Sequence, residues 1–316
     1  MSFFEIVNFK KLKTIMKKSN FKILSIAILA LAISLTSCNK NKVVIEIETA
    51  TELKISTPQP SPLGKISQRV GLTDIDIAYS RPGVKGRTIF GELVAFGKIW
   101  RTGANSNTKI TFSSDVMMDG QTLKAGSYGL YSIPNKDTWE IIFYSEADKN
   151  GVPRDWDDNK IAAKTTVKVG SMPRNIETFT IAFNDVTSTS TIIGLLWEKT
   201  YVGIKIEVPT DQMVSATIDA VMAASPKAGD YYNAAIYYSQ QDKDLKKANE
   251  WMEKAMSMIE KPGFWQLRQQ SLIYAKIGET EKAIATAKKS LEGAKAAKNE
   301  AYIKMNSESL KEWGAM

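Results

Sequence analysis

The residues best placed to do chemistry lie between Tyr79 and Phe112. Arg81, Lys85, Arg87, Lys98 and Arg101 fall there among Pro82, Gly83, Gly86, Gly91 and Gly97, with Trp100 beside Arg101 and Asn105 and Asn107 just beyond. Arginine presents a planar fork of donors suited to carboxylate or phosphate. An indole offers a stacking face to a sugar ring or a guanidinium. Pro82 fixes its own φ and pushes Arg81 toward extended backbone. Arg81, Lys85, Arg87, Trp100, Arg101 and Asn105 are therefore the candidate binding residues, and an anionic or saccharide ligand is the chemistry they fit. The competing reading is architectural: the same side chains tie a long loop together and Trp100 plugs the end of the fold.

Catalysis has few parts to work with. The chain has no histidine and one cysteine, Cys38. This excludes a Ser-His-Asp triad, a Cys-His pair, a His-ligated metal and an intrachain disulfide. Gly83-Val84-Lys85-Gly86-Arg87-Thr88 echoes the composition of a phosphate-binding loop without its spacing. Arg154-Asp155-Trp156-Asp157-Asp158 has the carboxylate density of a calcium site but not the loop order, and reads first as a solvated loop. Glu140 and Glu198 each follow a tryptophan on an expected strand; a glycosidase needs such a pair across a cleft, and outward polar positions explain both. No catalytic residue, no metal ligand and no cofactor is assigned.

Around these residues the chain divides into four parts. Residues 1–37 form a leader, in which Met16 is read as the start of translation. Met16-Lys17-Lys18-Ser19-Asn20-Phe21-Lys22 is positive, and Ile23–Leu35 is apolar but shorter than the roughly 20 residues a spanning helix needs. The formal charge of +8 belongs mainly to this leader. Residues 1–37 hold six lysines and one acid, leaving 36 basic against 33 acidic residues, a net of +3. That is no footprint for nucleic acid. Residues 38–64 read as a tether, stiffened by Thr57-Pro58-Gln59-Pro60-Ser61-Pro62.

From 65 to 209 the apolar period is two. Ile75, Ile77 and Tyr79 alternate with Asp74, Asp76 and Ala78. Further strand runs are 109–112, 128–133, 139–144, 165–169, 179–183, 192–197 and 202–208, with turns expected at Asp119-Gly120, Ala125-Gly126, 134–137 and Glu198-Lys199-Thr200. The expected fold class is an antiparallel β-sandwich followed by a short helical-repeat domain. The helical part, 210–316, reads as helices at 211–224, 228–241, 244–260, 264–277, 280–297 and 300–313, with Thr210 as the first N-cap. Ala248, Met252 and Ala255 recur 35 residues later as Ala283, Ala287 and Ser290.

Three resemblances add to this. Leu35-Thr36-Ser37-Cys38 resembles the lipobox of bacterial lipoproteins, which implies cleavage before Cys38, its acylation, and a membrane anchor. Asn39 is not similar to a retention signal, which implies the periplasmic face of the outer membrane. The order S-R-P-G-V-K-G-R-T-I-F-G, G-K-I-W-R-T-G-A-N, L-K-A-G-S-Y-G-L-Y-S-I-P, W-E-I-I-F, E-T-F-T-I-A-F, L-L-W-E-K-T, over about 61–208, resembles the bacterial domain of unknown function 2911. It implies an envelope location and no activity. Y-A-K-I-G-E-T-E-K-A-I-A-T-A-K-K-S resembles the tetratricopeptide repeat, which implies a protein partner for residues 228–313. About two copies are visible, fewer than the ~3 usually needed for independent stability, and the first departs from the pattern at Asp242.

Taken together, the sequence reads as a non-catalytic, lipid-anchored envelope protein that binds a ligand or partner. The alternatives are a carbohydrate-active enzyme using Asp155, Asp157 or Glu140, and a purely structural or assembly factor.

Overall fold

The computed structural model describes residues 57–316. The leader, Cys38 and the tether as far as residue 56 lie outside the described residues.

The described chain begins with nine antiparallel strands: β1 (Leu63–Val70), β2 (Thr73–Ser80), β3 (Thr108–Phe112), β4 (Val116–Met118), β5 (Gln121–Leu123), β6 (Gly126–Pro134), β7 (Thr138–Tyr144), β8 (Ile161–Asn184) and β9 (Ser190–Glu207). They form one sheet in the order β1-β2-β3-β6-β7-β8-β9-β4-β5. β1 takes in the last two residues read as tether.

The sheet folds over at β8. Its first part pairs with β7 from Ile161 to Lys168, and its second with β9 from Val169 to Asn184. Register shifts between Ser171 and Ile176, and again between Ile176 and Thr180, mark the bend. Such bulges turn a strand while keeping the rest of its ladder. Strands far apart in the sheet order thus face each other across one core, which includes Ile75 and Ile77 of β2, Phe143 of β7, Phe179 of β8, and Ile193 and Leu195 of β9. The two faces of the expected sandwich are continuous through one long strand.

Two local expectations change. Glu198-Lys199-Thr200 is not a turn between two strands but a bulged stretch inside β9. Glu198 has φ +50° and lies opposite Ile176. Thr210 does not cap the first helix. Its Oγ1 donates to the Ser188 carbonyl at 2.5 Å, because the β8–β9 turn offers it a long-range acceptor, and Pro209 occupies the cap position without a side-chain bond.

Six helices follow among the described residues: α1 (Thr210–Ala223), α2 (Ala228–Gln240), α3 (Leu245–Ser257), α4 (Phe264–Lys276), α5 (Thr280–Ala296) and α6 (Glu300–Glu312). Asp242, with φ +48°, and Gly278, with φ +82°, make the turns after α2 and α4. Asp244 caps α3 by accepting from the Lys247 amide, and Asn299 caps α6 by accepting from that of Tyr302. The 35-residue recurrence is a packing recurrence, since Ala248, Met252 and Ala255 of α3 and Ala283, Ala287 and Ser290 of α5 are all fully buried. Small side chains at these points let neighbouring helices approach closely.

Candidate functional site

The segment between β2 and β3 fills two free strand edges. Beyond its bend, β8 has β9 on one side only. Pro82 to Val84 take the other side: the Phe179 amide donates to the Pro82 carbonyl at 2.8 Å and the Val84 amide to the Glu177 carbonyl at 2.7 Å. Beyond Leu130, β6 has lost β3 as a neighbour. There Trp100 and Ser132 exchange both backbone bonds, at 2.7 and 2.9 Å, and the Gly97 amide reaches the Pro134 carbonyl at 2.9 Å. An unpaired edge is costly when buried and hazardous when exposed. The segment removes both edges, and a turn from Ile89 to Val94 closed by their 2.8 Å backbone bond joins the two attachments.

That pairing decides what each candidate side chain does. Arg81, half-buried, donates from Nε to the Phe179 carbonyl at 3.2 Å and from Nη2 to Thr180 Oγ1 at 2.9 Å. Arg87 turns back on its own loop, donating to the Val84 carbonyl at 3.0 Å and the Gly83 carbonyl at 2.7 Å. Lys85 is exposed at φ +50°, and its amide donates to Glu177 Oε1 at 2.9 Å. Asn105 donates to the Ser61 carbonyl at 3.0 Å, tying the loop to the approach of β1. Asn107 joins two loops, donating to the Ala147 carbonyl and accepting from the Lys149 amide, both at 2.9 Å.

Trp100 points into the core. Its ring stacks on Trp197 with centroids 6.0 Å apart and meets Phe179, Trp139 and Phe90 edge-on at 5.4 to 6.1 Å. Its Nε1 donates to the Gly103 carbonyl at 3.0 Å. Gly103 sits with φ +153° against the Ser80 carbonyl, where a Cβ would come within 3.2 Å.

Arg101, next along an extended backbone, leaves on the opposite face. There the 145–160 loop covers a second, smaller apolar cluster of Tyr131, Ile142, Tyr144, Ile99, Val152 and Trp156. Tyr131 donates its hydroxyl to the Gly151 carbonyl at 3.1 Å, and burial pushes that hydroxyl up to about 12. The Arg101 guanidinium lies against Gly151, and its buried Nε has no acceptor among the described residues. Around it Ser106 Oγ donates to Asn150 Oδ1 at 3.0 Å, while Lys149 and Lys160 pair with Glu146 at 2.8 and 2.6 Å. Those ammonium groups hold the Glu146 carboxyl below its usual range.

The candidates are thus divided. Arg81 and the Lys85 amide serve the β8 edge, Arg87 its own loop, Trp100 the core, Asn105 the β1 approach, and Arg101 the small cluster outside. Three of the other carboxylates singled out have local partners. Asp157 accepts from the Asn159 amide at 2.9 Å, Asp158 from Trp156 Nε1 at 2.9 Å, and Glu140 lies 3.2 Å from Lys164. Among the described residues no group of three or more acidic, cysteine or histidine side chains could hold a metal ion. Reading the sequence missed Tyr131 and Ser132, which place Arg101. A tyrosine and a serine inside an alternating strand carry no signal of their own.

Residues 61–206 match the family described as "Protein of unknown function (DUF2911)". The match spans the strands from β1 into β9 together with the arginine segment, and stops before α1. No curated protein and no solved structure matches the chain. The matched region is therefore described by its own geometry: a folded-over sheet closed by an arginine- and glycine-rich segment, in which the buried Arg101 Nε has no acceptor among the described residues.

Proposed function

We propose that the chain is a lipid-anchored protein of the bacterial cell envelope. It is held at the periplasmic face of the outer membrane through Cys38, and its DUF2911 region binds an anionic or saccharide ligand, or a partner bearing one, without transforming it. The observation that carries the binding reading is Arg101. A partly desolvated guanidinium gains most from an acceptor when one of its donors has none. Asn150, Ser106 and the Gly151 backbone lie around it to orient an oxyanion or a sugar hydroxyl. The helices form a short tetratricopeptide-like module for protein contact. Their buried small residues at a 35-residue shift support that reading, and α1 and α6 flank the two helix pairs.

The test is a thermal-shift screen of the full chain against inorganic phosphate, citrate and short glycans. A stabilising probe should lose its effect in Arg101→Gln and keep it in Arg87→Gln. A shift that survives Arg101→Gln removes this site. In cell fractionation, Cys38→Ala should leave the membrane fraction; continued membrane association would sink the anchor.

A further inference from the structure

We infer that Asn150-Gly151 is a self-modification site. The Gly151 amide nitrogen attacks the Asn150 side chain, ammonia leaves, and hydrolysis puts an aspartyl or isoaspartyl residue in the loop beside Arg101. The conversion stands on its own geometry. Its effect on ligand binding rests on the reading of Arg101 as the binding group.

Asn150-Gly151 is the one asparagine-glycine pair in the sequence. Glycine carries no Cβ to shield its nitrogen from the preceding side chain. It also serves the loop here, with φ +85°. Asn150 is exposed, so water reaches its side chain. Its Oδ1 accepts from Ser106 Oγ at 3.0 Å, and its Nδ2 has no partner among the described residues. The Gly151 amide likewise donates no hydrogen bond among the described residues, while its carbonyl accepts from the Tyr131 hydroxyl at 3.1 Å. On the other flank the Lys149 amide donates to Asn107 Oδ1 at 2.9 Å, and the Lys149 carbonyl accepts from the Asn107 amide at 3.2 Å. Both neighbours of Asn150 are therefore tied down, while the attacking and leaving nitrogens are free. The Arg101 guanidinium lies against Gly151, with Nη1 3.4 Å from where a Cβ would stand. A cation there favours the anionic amide that attacks.

Base from solvent takes the Gly151 amide proton, and the nitrogen bonds to Asn150 Cγ. The carbonyl electron pair moves onto Oδ1, where the Ser106 hydroxyl is already placed to donate. The Cγ–Nδ2 bond then breaks, and that nitrogen takes up a proton and leaves as ammonia. The product is a cyclic succinimide. Water opens it at either carbonyl, giving aspartate in an unchanged main chain or isoaspartate with the chain rerouted through Cβ. The sum is amide plus water to carboxylate plus ammonium, with no oxidant, metal or second substrate. The loop gains a negative charge at the residue next to Gly151. A carboxylate of the chain itself then competes with any external anion for Arg101, whose buried Nε has no acceptor among the described residues. Isoaspartate also lengthens the main chain between the ties at Lys149 and Gly151. The reaction runs one way, so binding at Arg101 declines as the chain ages.

The test incubates the full chain in warm, mildly alkaline buffer, then reads the tryptic peptide Asn150–Arg154 by mass spectrometry, with isoaspartate scored separately. Asn150 should convert well before Asn135, Asn159 and Asn184, whose followers Lys136, Lys160 and Asp185 carry side chains. Ser106→Ala should slow the conversion about fivefold, the worth of one hydrogen bond. Asn150→Gln should leave the peptide unconverted, because the longer side chain closes its ring far more slowly. A native chain that keeps Asn150 intact while the same chain converts in urea overturns the site, and that comparison needs no variant to fold. An unchanged rate in Ser106→Ala overturns the assistance assigned to the fold. Converted wild type and Asn150→Asp should both lose a phosphate or citrate thermal shift that fresh wild type shows. A shift retained after full conversion overturns the effect on binding. If fresh wild type shows no shift, the reading of Arg101 fails and the conversion is judged by mass alone.

Discussion

The Tyr79 hydroxyl stands in for a strand at Ile181. It accepts from the Ile181 amide at 3.0 Å and donates to the Ile181 carbonyl at 3.3 Å, joining β2 to β8 across the core. Tyr79 is buried, with its ring edge-on to Phe179 at 5.8 Å. Tyr79→Phe keeps the ring and removes both bonds, leaving two buried backbone groups unpaired. It should cost about 1–3 kcal/mol in chemical denaturation, with the fold otherwise retained. A change below a few tenths would mean that water takes over the role.

Arg81 and Arg101 should behave oppositely. Arg81→Ala deletes two bonds to β8 and should destabilise by about 1–3 kcal/mol, since charge-assisted bonds to partly buried acceptors are lost. Arg101→Gln removes a guanidinium whose Nε has no partner among the described residues, and should change stability by less than about 0.5 kcal/mol. Paired melting curves of the two variants check this. Equal losses would make Arg101 another loop tie and not a binding group.

Trp100→Ala should be among the most damaging changes in the segment, at about 3–5 kcal/mol, because it empties space between Trp197, Phe179, Trp139 and Phe90. Trp100→Phe should recover part of that loss. If Trp100→Ala instead leaves the melting temperature unchanged while abolishing glycan binding, the indole is a ligand platform after all.

The 145–160 loop should loosen in acid. Lys149 and Lys160 hold the Glu146 carboxyl below its ordinary value, so the contribution of those pairs is complete above the unfolded value of about 4.3 and is lost as pH falls through the lower folded one. Amide exchange at Lys149 and Gly151 should rise below that pH while exchange in β7 stays slow. Glu146→Gln should show the faster loop exchange already at neutral pH.

Packing between the helix pairs leaves no room at Ala287. It is fully buried and lies in one apolar cluster with Leu291 and Leu310. Ala287→Met should destabilise by about 1–3 kcal/mol through overpacking, and the same change at exposed Ala301 should be neutral. Calorimetry separates the two.

The sequence by itself determined the element types. Alternation at Ile75, Ile77 and Tyr79 belongs to a half-buried strand, and the 35-residue recurrence at Ala248 and Ala283 to packed helices. Helix ends fell within three residues of those expected, because caps and breakers such as Asp244, Gly263 and Gly278 act locally. Only the tertiary structure decided that Glu198 bulges instead of turning, since the same positive-φ residue serves both and the choice belongs to its partner Ile176. Only the tertiary structure divided the arginine segment, too. Arginine types and spacing say that donors are present, but whether they are spent depends on which carbonyls the fold delivers. Phe179, 98 residues from Arg81, is brought to that arginine by the bend of β8, and nothing comparable among the described residues reaches Arg101 Nε.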